Sequence, residues 1–299
     1  MSSAPLRLGT RGSALALVQA QGVAEALGGA EVVVVKTTDE AVGDKARFVR
    51  GLQRALLAGE VDVAVHSAKD LPAEGPDGLE IAAVPARAAI ADACCGAADS
   101  LDELPRGARI GTASLRRRSQ LLALRPDLEV SELRGNVDTR LRKLAAGEAE
   151  AIVLAVAGLQ RLGREREIAF QLTPEQMTPA PGQGALALEV RSASAAAERL
   201  AAISDPATAL ELAAERAAVA ELGASCDTPV GVSARVQGTE LALTGFAGLP
   251  DGTSWVRDAI TRPADDPEAA GRELAERMGL AGATEILAAA EKIGLGTRR

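Results

Sequence analysis

Aromatic residues are almost absent from this chain of 299 residues, which has three Phe, one Trp and no Tyr. Proteins that bind single-stranded nucleic acid stack the bases on aromatic side chains, and nucleic-acid binders normally present a basic face. The formal net charge of −8 also argues against that function. We therefore expect no nucleic-acid partner.

Cysteine, histidine and long apolar runs are scarce as well. The three cysteines, of which Cys94 and Cys95 are adjacent, match neither a disulfide framework nor a zinc-ligand spacing, so no metal site is expected. The longest apolar run, "AIVLAVAGL", is too short for a membrane span, and the first residues lack the apolar segment of a secretion signal. These features predict a cytoplasmic protein with no membrane partner.

Short apolar strands alternate with amphipathic helices as far as Val156. This βαβ alternation predicts α/β layers built on mostly parallel sheets. The predicted strands are Leu6–Thr10, Glu31–Thr37, Val61–His66, Leu79–Val84, Arg109–Ala113, Leu128–Leu133 and Ala151–Val156, and the predicted helices are Ala14–Leu27, Ala46–Leu57, Leu115–Leu124 and Asn136–Ala146.

The pattern changes at about residue 207. A helix that follows Asp205 and stops at Gly223 carries the expected capping residues at both ends. After it, "VSARVQGTELALTGFAGLPDGTSWVRDAI" predicts three antiparallel strands with glycine-containing turns, followed by helices near 266–278 and 281–293. These elements predict a separate small α+β domain.

The segment "GTASLRRRS" (111–119) places three consecutive arginines where a helix begins, although positive charge there opposes the helix dipole. Arginines also follow other predicted strands, and ligands of α/β sheets bind at the carboxyl ends of strands. A solvated surface could explain any one of these arginines. Because they recur at four strand ends, and because arginine is the usual partner of carboxylate or phosphate, we predict a ligand with several anionic groups.

Three further motifs contain residues suited to chemistry. "VDVAVHSAKDLP" ends in Asp70, which could meet charge that develops on a substrate or could form a surface ion pair. His66 could be a hydrogen-bonded core residue or a base, although no G-x-S-x-G motif accompanies it. "GQGALA" fits a dinucleotide fingerprint in letters only, since "TPAP" precedes it and a strand follows. Cys226, in a loop of small residues, could be a reactive nucleophile or a small buried residue.

Taken together, the motifs closely resemble the porphobilinogen deaminase (hydroxymethylbilane synthase) family. The resemblance runs through "LGTRGSALALVQAQ", "VDVAVHSAKDLP", "GTASLRRRSQL", "LRGNVDTRLRKL", "AVAGLQRLG", "PGQGALALEVR" and "GASCDTPVG". It implies two hinged α/β domains like those of periplasmic binding proteins, plus a small C-terminal α+β domain. The domains are predicted at 1–86 with 185–203, at 90–180, and at 207–299.

The resemblance implies a transferase of porphyrin (haem) biosynthesis that acts as a monomer. Such an enzyme joins four porphobilinogen molecules head to tail, releasing ammonia each time, onto a covalent dipyrromethane cofactor, and then hydrolyses the product to free hydroxymethylbilane. By this resemblance Cys226 would hold the cofactor through a thioether, and Asp70 would stabilise the cationic azafulvene left when ammonia departs. The residues implied to bind carboxylates of cofactor and substrate are Arg11, Ser13, Ser67, Lys69, Thr112, Ser114, Arg116, Arg117, Arg134, Arg140 and Arg161.

The segment "KTTDEAVGDKARF" (36–48) departs from the family, where a longer stretch with a glycine after the lysine covers the cleft. A shorter lid would leave the cleft wetter. Candidate lid or cleft residues are Gln19, Lys45, Phe48 and Gln183. A binding protein of the hinged type that lacks the chemistry is an alternative, but a pure binder needs neither Asp70 nor Cys226. A regulator's effector domain would need a DNA-binding helix-turn-helix, and none precedes residue 6.

Overall fold

The computed structural model describes residues 4–36, 45–224 and 228–296, without the side chains of 45–48 and 294–296. The chain divides into two compact units. The first unit comprises Met1–Ala88 and Gly184–Ala209, and the second comprises Ala89–Gln183 and Leu210–Arg299. The division into three domains, with the boundaries given above, stays a prediction.

Strands and helices alternate along most of the chain. In chain order they are β1 (Arg7–Thr10), α1 (Ala14–Ala26), β2 (Glu31–Val34), α2 (Lys45–Leu57), β3 (Val63–Ser67), β4 (Leu79–Ala83), β5 (Asp92–Gly96), β6 (Arg109–Gly111), α3 (Leu115–Leu124), β7 (Glu129–Ser131), α4 (Val137–Ala145), β8 (Ala151–Ala155), α5 (Val156–Arg161), β9 (Phe170–Leu172), β10 (Leu186–Arg191), α6 (Ala196–Ala201), α7 (Pro206–Glu221), β11 (Val230–Gln237), β12 (Glu240–Gly248), β13 (Trp255–Pro263), α8 (Pro267–Leu280) and α9 (Ala283–Gly296), with single 3-10 turns at Ala68–Asp70 and Glu165–Glu167.

The first unit is built on a five-stranded sheet with the strand order β2-β1-β3-β10-β4. Strands β2 and β3 run parallel to β1, whereas β10 runs antiparallel to both β3 and β4. Alternate residues of β3 pack on opposite faces of this sheet. Val63 and Val65 join a core that includes residues of α1, and Ala64 joins a second core with Leu52 and Leu56 of α2.

The second unit contains a five-stranded sheet of order β7-β6-β8-β5-β9 and a three-stranded antiparallel sheet of order β11-β12-β13. In the larger sheet β7 and β8 run parallel to β6, and β5 runs antiparallel to β8 and β9. Helices α8 and α9 pack on the smaller sheet. Two α/β sheets and a small C-terminal α+β part confirm the predicted fold class.

One detail of the predicted fold was wrong. The five-stranded sheets are mixed rather than mostly parallel, because each contains one strand, β10 or β5, that runs antiparallel to both of its neighbours. Side chains cap two helices of the second unit: Ser114 Oγ accepts from Arg117 N at 3.4 Å at the start of α3, and Asn136 Oδ1 accepts from Thr139 N at 2.9 Å at the start of α4. No helix in the described parts of the chain is long and apolar enough to cross a membrane.

Candidate functional site

In the first unit, Arg11 and Asp70 meet where β1 and β3 end. Asp70 closes the 3-10 turn that follows β3, and Ala68 N in this turn donates to Ala185 O at 3.1 Å, just before β10 begins. Arg11 Nη1 lies 3.8 Å from Asp70 Oδ2. Burial lowers the pKa of Arg11, and the charge of Asp70 offsets only part of that effect. The ends of β1 and β3, which are far apart in sequence, therefore place the half-buried guanidinium of Arg11 beside the half-buried carboxylate of Asp70.

Other predicted residues of the first unit lie on the same elements. Ser13 caps α1 by accepting from Ala16 N at 3.4 Å, and Gln19 is buried farther along that helix. Ser67 and Lys69 are half-buried on either side of Ala68. Lys45 begins α2, but its side chain and that of Phe48 lie outside the described residues, as do residues 37–44 of the predicted lid.

In the second unit, Asp92 is the centre of a buried charged cluster. Its Oδ1 atom accepts from Nε and Nη2 of Arg117 at 3.1 and 2.7 Å, and its Oδ2 atom lies 2.8 Å from Nη1 of Arg116. Asp92 is 0% exposed. Burial opposes ionisation of this carboxyl, but the charges and hydrogen bonds of the two arginines outweigh it and hold the pKa of Asp92 below its usual range.

Arg116 and Arg117 are themselves 4% and 6% exposed. Arg116 Nη1 donates to Thr178 O at 2.7 Å, and Arg117 Nη1 donates to Val153 O at 2.8 Å. Gln183 Nε2 donates to Asp92 Oδ1 at 3.1 Å. Three residues predicted from two separate motifs, Arg116, Arg117 and Gln183, thus share one carboxylate that the sequence did not single out.

Arg140 is a half-buried cation whose buried Nε atom lacks a hydrogen-bond partner among the described residues. Burial and, to a smaller extent, the charge of Arg117 lower the pKa of Arg140 to about 10. Burial also lowers the pKa of Arg161 at the end of α5.

Arg134 differs from the other predicted arginines. Its side chain is 54% exposed and forms an ion pair with Glu132, in which Nε lies 2.7 Å and Nη2 lies 2.6 Å from Oε1.

Thr112 is buried at the entry to α3, where its Oγ1 atom accepts from Ser114 N at 3.2 Å. The hydroxyls of Thr112 and Ser114 are thus used to shape the helix start.

Comparison with known families identifies the chain. A family profile described as "Porphobilinogen deaminase, dipyromethane cofactor binding domain" matches residues 6–199, and one described as "Porphobilinogen deaminase, C-terminal domain" matches residues 209–279. The chain belongs to the porphobilinogen deaminase family.

Curated porphobilinogen deaminases support this assignment over nearly the whole length. The enzyme of Roseiflexus castenholzii is 46% identical over 95% of this chain and 98% of its own. The enzyme of Thermus thermophilus is 47% identical over 94% and 97%. Among solved structures, a TRAP periplasmic solute binding protein from Desulfovibrio salexigens gives a TM-score of 0.41 at 11% identity, covering 68% of this chain and 72% of that one. The resemblance seen in the sequence is confirmed, and with it the enzyme class: porphobilinogen deaminases are transferases of tetrapyrrole biosynthesis.

The larger profile is that of a dipyrromethane-binding domain, so the residues can be tested against such a group. Dipyrromethane carries acetate and propionate side chains. A buried guanidinium with an unpartnered Nε, as in Arg140, requires an acceptor, and a carboxylate is the strongest one available. The arginines of the second unit therefore fit the cofactor. Cys226, the residue predicted to carry it, lies outside the described residues.

Sequence reasoning missed three buried carboxylates. Asp92 was overlooked because it lies outside every predicted strand and helix. Glu215 on α7 is 0% exposed, and its two oxygens accept from Gly182 N at 2.6 Å and Ala234 N at 2.8 Å. Glu189 on β10 lies 3.1 Å from Nε2 of His66, so His66 is a hydrogen-bonded core residue. An acid inside an apolar strand, as in "LALEV", is the one signal that could have found Glu189.

Metal ligands form no cluster in this deaminase over residues 4–36, 45–224 and 228–296, where no group of three or more His, Cys, Asp or Glu is placed to hold an ion.

Proposed function

We propose that this chain is a hydroxymethylbilane synthase, which joins four porphobilinogen units head to tail onto a dipyrromethane bound through a thioether to Cys226 and then hydrolyses the product free. One observation carries the proposal most directly. In the second unit two arginines, Arg116 and Arg117, are buried against a single carboxylate, and Nε of Arg140 has no partner among the described residues. A ligand that bears several carboxylates supplies the missing anions.

The arginines bind and orient the carboxylates of the cofactor and of the growing chain. Desolvated cations are costly until they are paired, and a guanidinium pairs with a carboxylate through two parallel hydrogen bonds. Arg140 gains most from a ligand anion, because burial and the charge of Arg117 lower its pKa to about 10 and its Nε atom has no hydrogen-bond partner among the described residues. Arg161, whose pKa burial also lowers, is assigned to the same carboxylates. The further residues assigned to carboxylates are Arg11, Ser13, Ser67, Lys69, Thr112, Ser114, Arg116, Arg117 and Arg134.

Asp70 stabilises the positive charge that develops on the substrate. The carbon–nitrogen bond of the protonated aminomethyl group breaks, nitrogen leaves with the bonding pair as ammonia, and the positive charge stays on the azafulvene. A fixed carboxylate stabilises that cation electrostatically and can take the proton that the attacking pyrrole carbon releases when the new carbon–carbon bond forms. Arg11, 3.8 Å away, restrains the orientation of Asp70. When bound, dipyrromethane supplies the pyrrole carbon that accepts the first unit.

The enzyme acts as a cytoplasmic monomer without a nucleic-acid partner. The net charge of −8 and the scarcity of aromatic residues support the last point. Cys94 and Cys95 are buried free thiols, as is common in a reducing compartment. Light scattering coupled to gel filtration should give the mass of one chain, and a dimer would contradict this part of the proposal.

The deciding experiment is the intact mass of the purified, denatured protein, measured beside the Cys226→Ala variant. We expect the mass of one dipyrromethane to be added to the wild type and absent from the variant, with hydroxymethylbilane formed by the wild type alone. An unmodified wild type, even after incubation with porphobilinogen, would contradict the proposal and favour a binding protein without the chemistry.

A further inference from the structure

We propose that Asp92 is a positioning residue for the carboxylate-binding arginines: it holds Arg116 and Arg117 in place before a ligand arrives, and ligand carboxylates take over part of that task. The inference rests on the proposed function, since it assumes that an anionic ligand reaches these arginines.

The first argument is the unusual position of the two cations. Arg116 and Arg117 are consecutive residues in the first turn of α3, where their charges oppose each other and the helix dipole. Each charge disfavours the other, because Arg117 lowers the pKa of Arg116. Both nevertheless converge on one carboxylate, at 2.8 and 2.7 Å. Asp92 is thus the charge that makes this pair of neighbours tolerable inside the protein.

The second argument is the rigidity of that carboxylate. Asp92 is the first residue of β5 and is registered against Ala155 of β8 on one side and Leu172 of β9 on the other. Its Oδ1 atom also accepts from Gln183, whose amide donates in addition to Ile90 O at 2.7 Å. A buried, doubly registered strand residue is a fixed point, as a positioning residue must be.

The third argument is the balance of charge. One carboxylate against two guanidinium groups leaves one positive charge at the pair, and Arg140 adds another close enough for Arg117 to lower its pKa. Replacing Asp92 by Asn keeps the shape but removes the only negative charge of this cluster among the described residues. Two adjacent buried cations would then be uncompensated in the unloaded protein, whereas in the loaded protein ligand carboxylates would replace part of the lost charge.

This difference gives a test that separates positioning from a purely structural role. Asp92→Asn is made in the wild type, loaded by incubation with porphobilinogen and checked by intact mass, and in Cys226→Ala, which cannot be loaded. We expect Asp92→Asn to widen the gap in melting temperature between the loaded and unloaded proteins by about 5 °C or more. The matched control is Glu189→Gln, which neutralises another buried carboxylate with two side-chain partners, His66 and Gln53, and should leave the gap unchanged.

The outcomes are distinct. An equal loss of melting temperature in both backgrounds, with loading intact, would overturn the inference and leave the proposed function standing. A wild type that gains no mass would overturn the proposed function and the inference with it. If Asp92→Asn folds in neither background, the double variant Asp92→Asn/Arg117→Met, which also removes one cation, should recover folding, and its failure to do so would refute the charge argument.

Discussion

Replacing Arg140 by methionine should stabilise the unloaded protein while it damages the enzyme. Burial and the charge of Arg117 lower the pKa of Arg140 from 12.5 to about 10. Because this pKa is lower in the folded state than in the unfolded chain, the charged side chain costs stability at every pH below about 10, and the full cost is present at neutral pH.

The size of the effect follows from the shift. At about 1.4 kcal/mol for each pKa unit the cost would be ~3 kcal/mol, and because the side chain is partly exposed we discount it to ~1–2 kcal/mol. Methionine keeps much of the packing volume without the charge. The melting temperature of Cys226→Ala/Arg140→Met should therefore exceed that of Cys226→Ala by about 2–6 °C. In the protein that keeps Cys226, Arg140→Met removes a charge-assisted contact with the ligand worth ~3 kcal/mol. This loss should lower kcat/KM by about 100-fold.

Thermal unfolding by circular dichroism at pH 7 measures the first effect, and the rate of hydroxymethylbilane formation measures the second. Arg134→Met is the control, because Arg134 is exposed and paired with Glu132. Its effect on stability should stay within about 0.5 kcal/mol. A lower melting temperature for Cys226→Ala/Arg140→Met than for Cys226→Ala would refute the view that Arg140 is an uncompensated cation awaiting a ligand.

Three further predictions test other groups. Asp70→Ala should abolish bilane formation while leaving the far-ultraviolet spectrum and melting temperature near those of the wild type; near-normal turnover would remove Asp70 from the mechanism. Glu215→Ala should lower the free energy of unfolding by about 2–6 kcal/mol, because two buried backbone N–H groups lose their acceptor. Denaturant titration measures this free energy, and a smaller loss would contradict the prediction. Burial raises the pKa values of Cys94 and Cys95 to about 12 and about 11, so neither thiol should react with Ellman's reagent at pH 8 until the protein is unfolded, and reaction in the native state would contradict their burial.

Local signals in the sequence predicted the helices of the site well. The start of α3 was predictable because the cap residue Ser114 contacts a backbone N–H only three residues farther along the chain, and serine is a preferred residue at that position. The same holds for Asn136 at the start of α4. Helix caps depend on residues that are close in sequence, so they can be predicted from the sequence alone.

The buried carboxylates could not be predicted in this way. Asp92 meets Arg117 from 25 positions away, and Glu189 meets His66 from 123 positions away. The acid inside the apolar strand "LALEV" indicates that Glu189 is unusual, but no local pattern shows which distant residue it contacts, and no comparable signal marks Asp92. The antiparallel course of β10 was missed for a similar reason, since strand direction depends on where the chain returns rather than on its composition.

The place of β10 in its sheet has a consequence for the order in which the protein is made. This strand lies between β3 and β4, but residues 89–183 of the second unit are synthesised before it. While the ribosome extends that segment, β3 and β4 lack their common neighbour, and His66 lacks Glu189. The first unit therefore cannot complete its fold as soon as β1 to β4 have been synthesised. Its sheet closes only after Arg191 has left the ribosome, so these strands become native later than their place in the chain suggests.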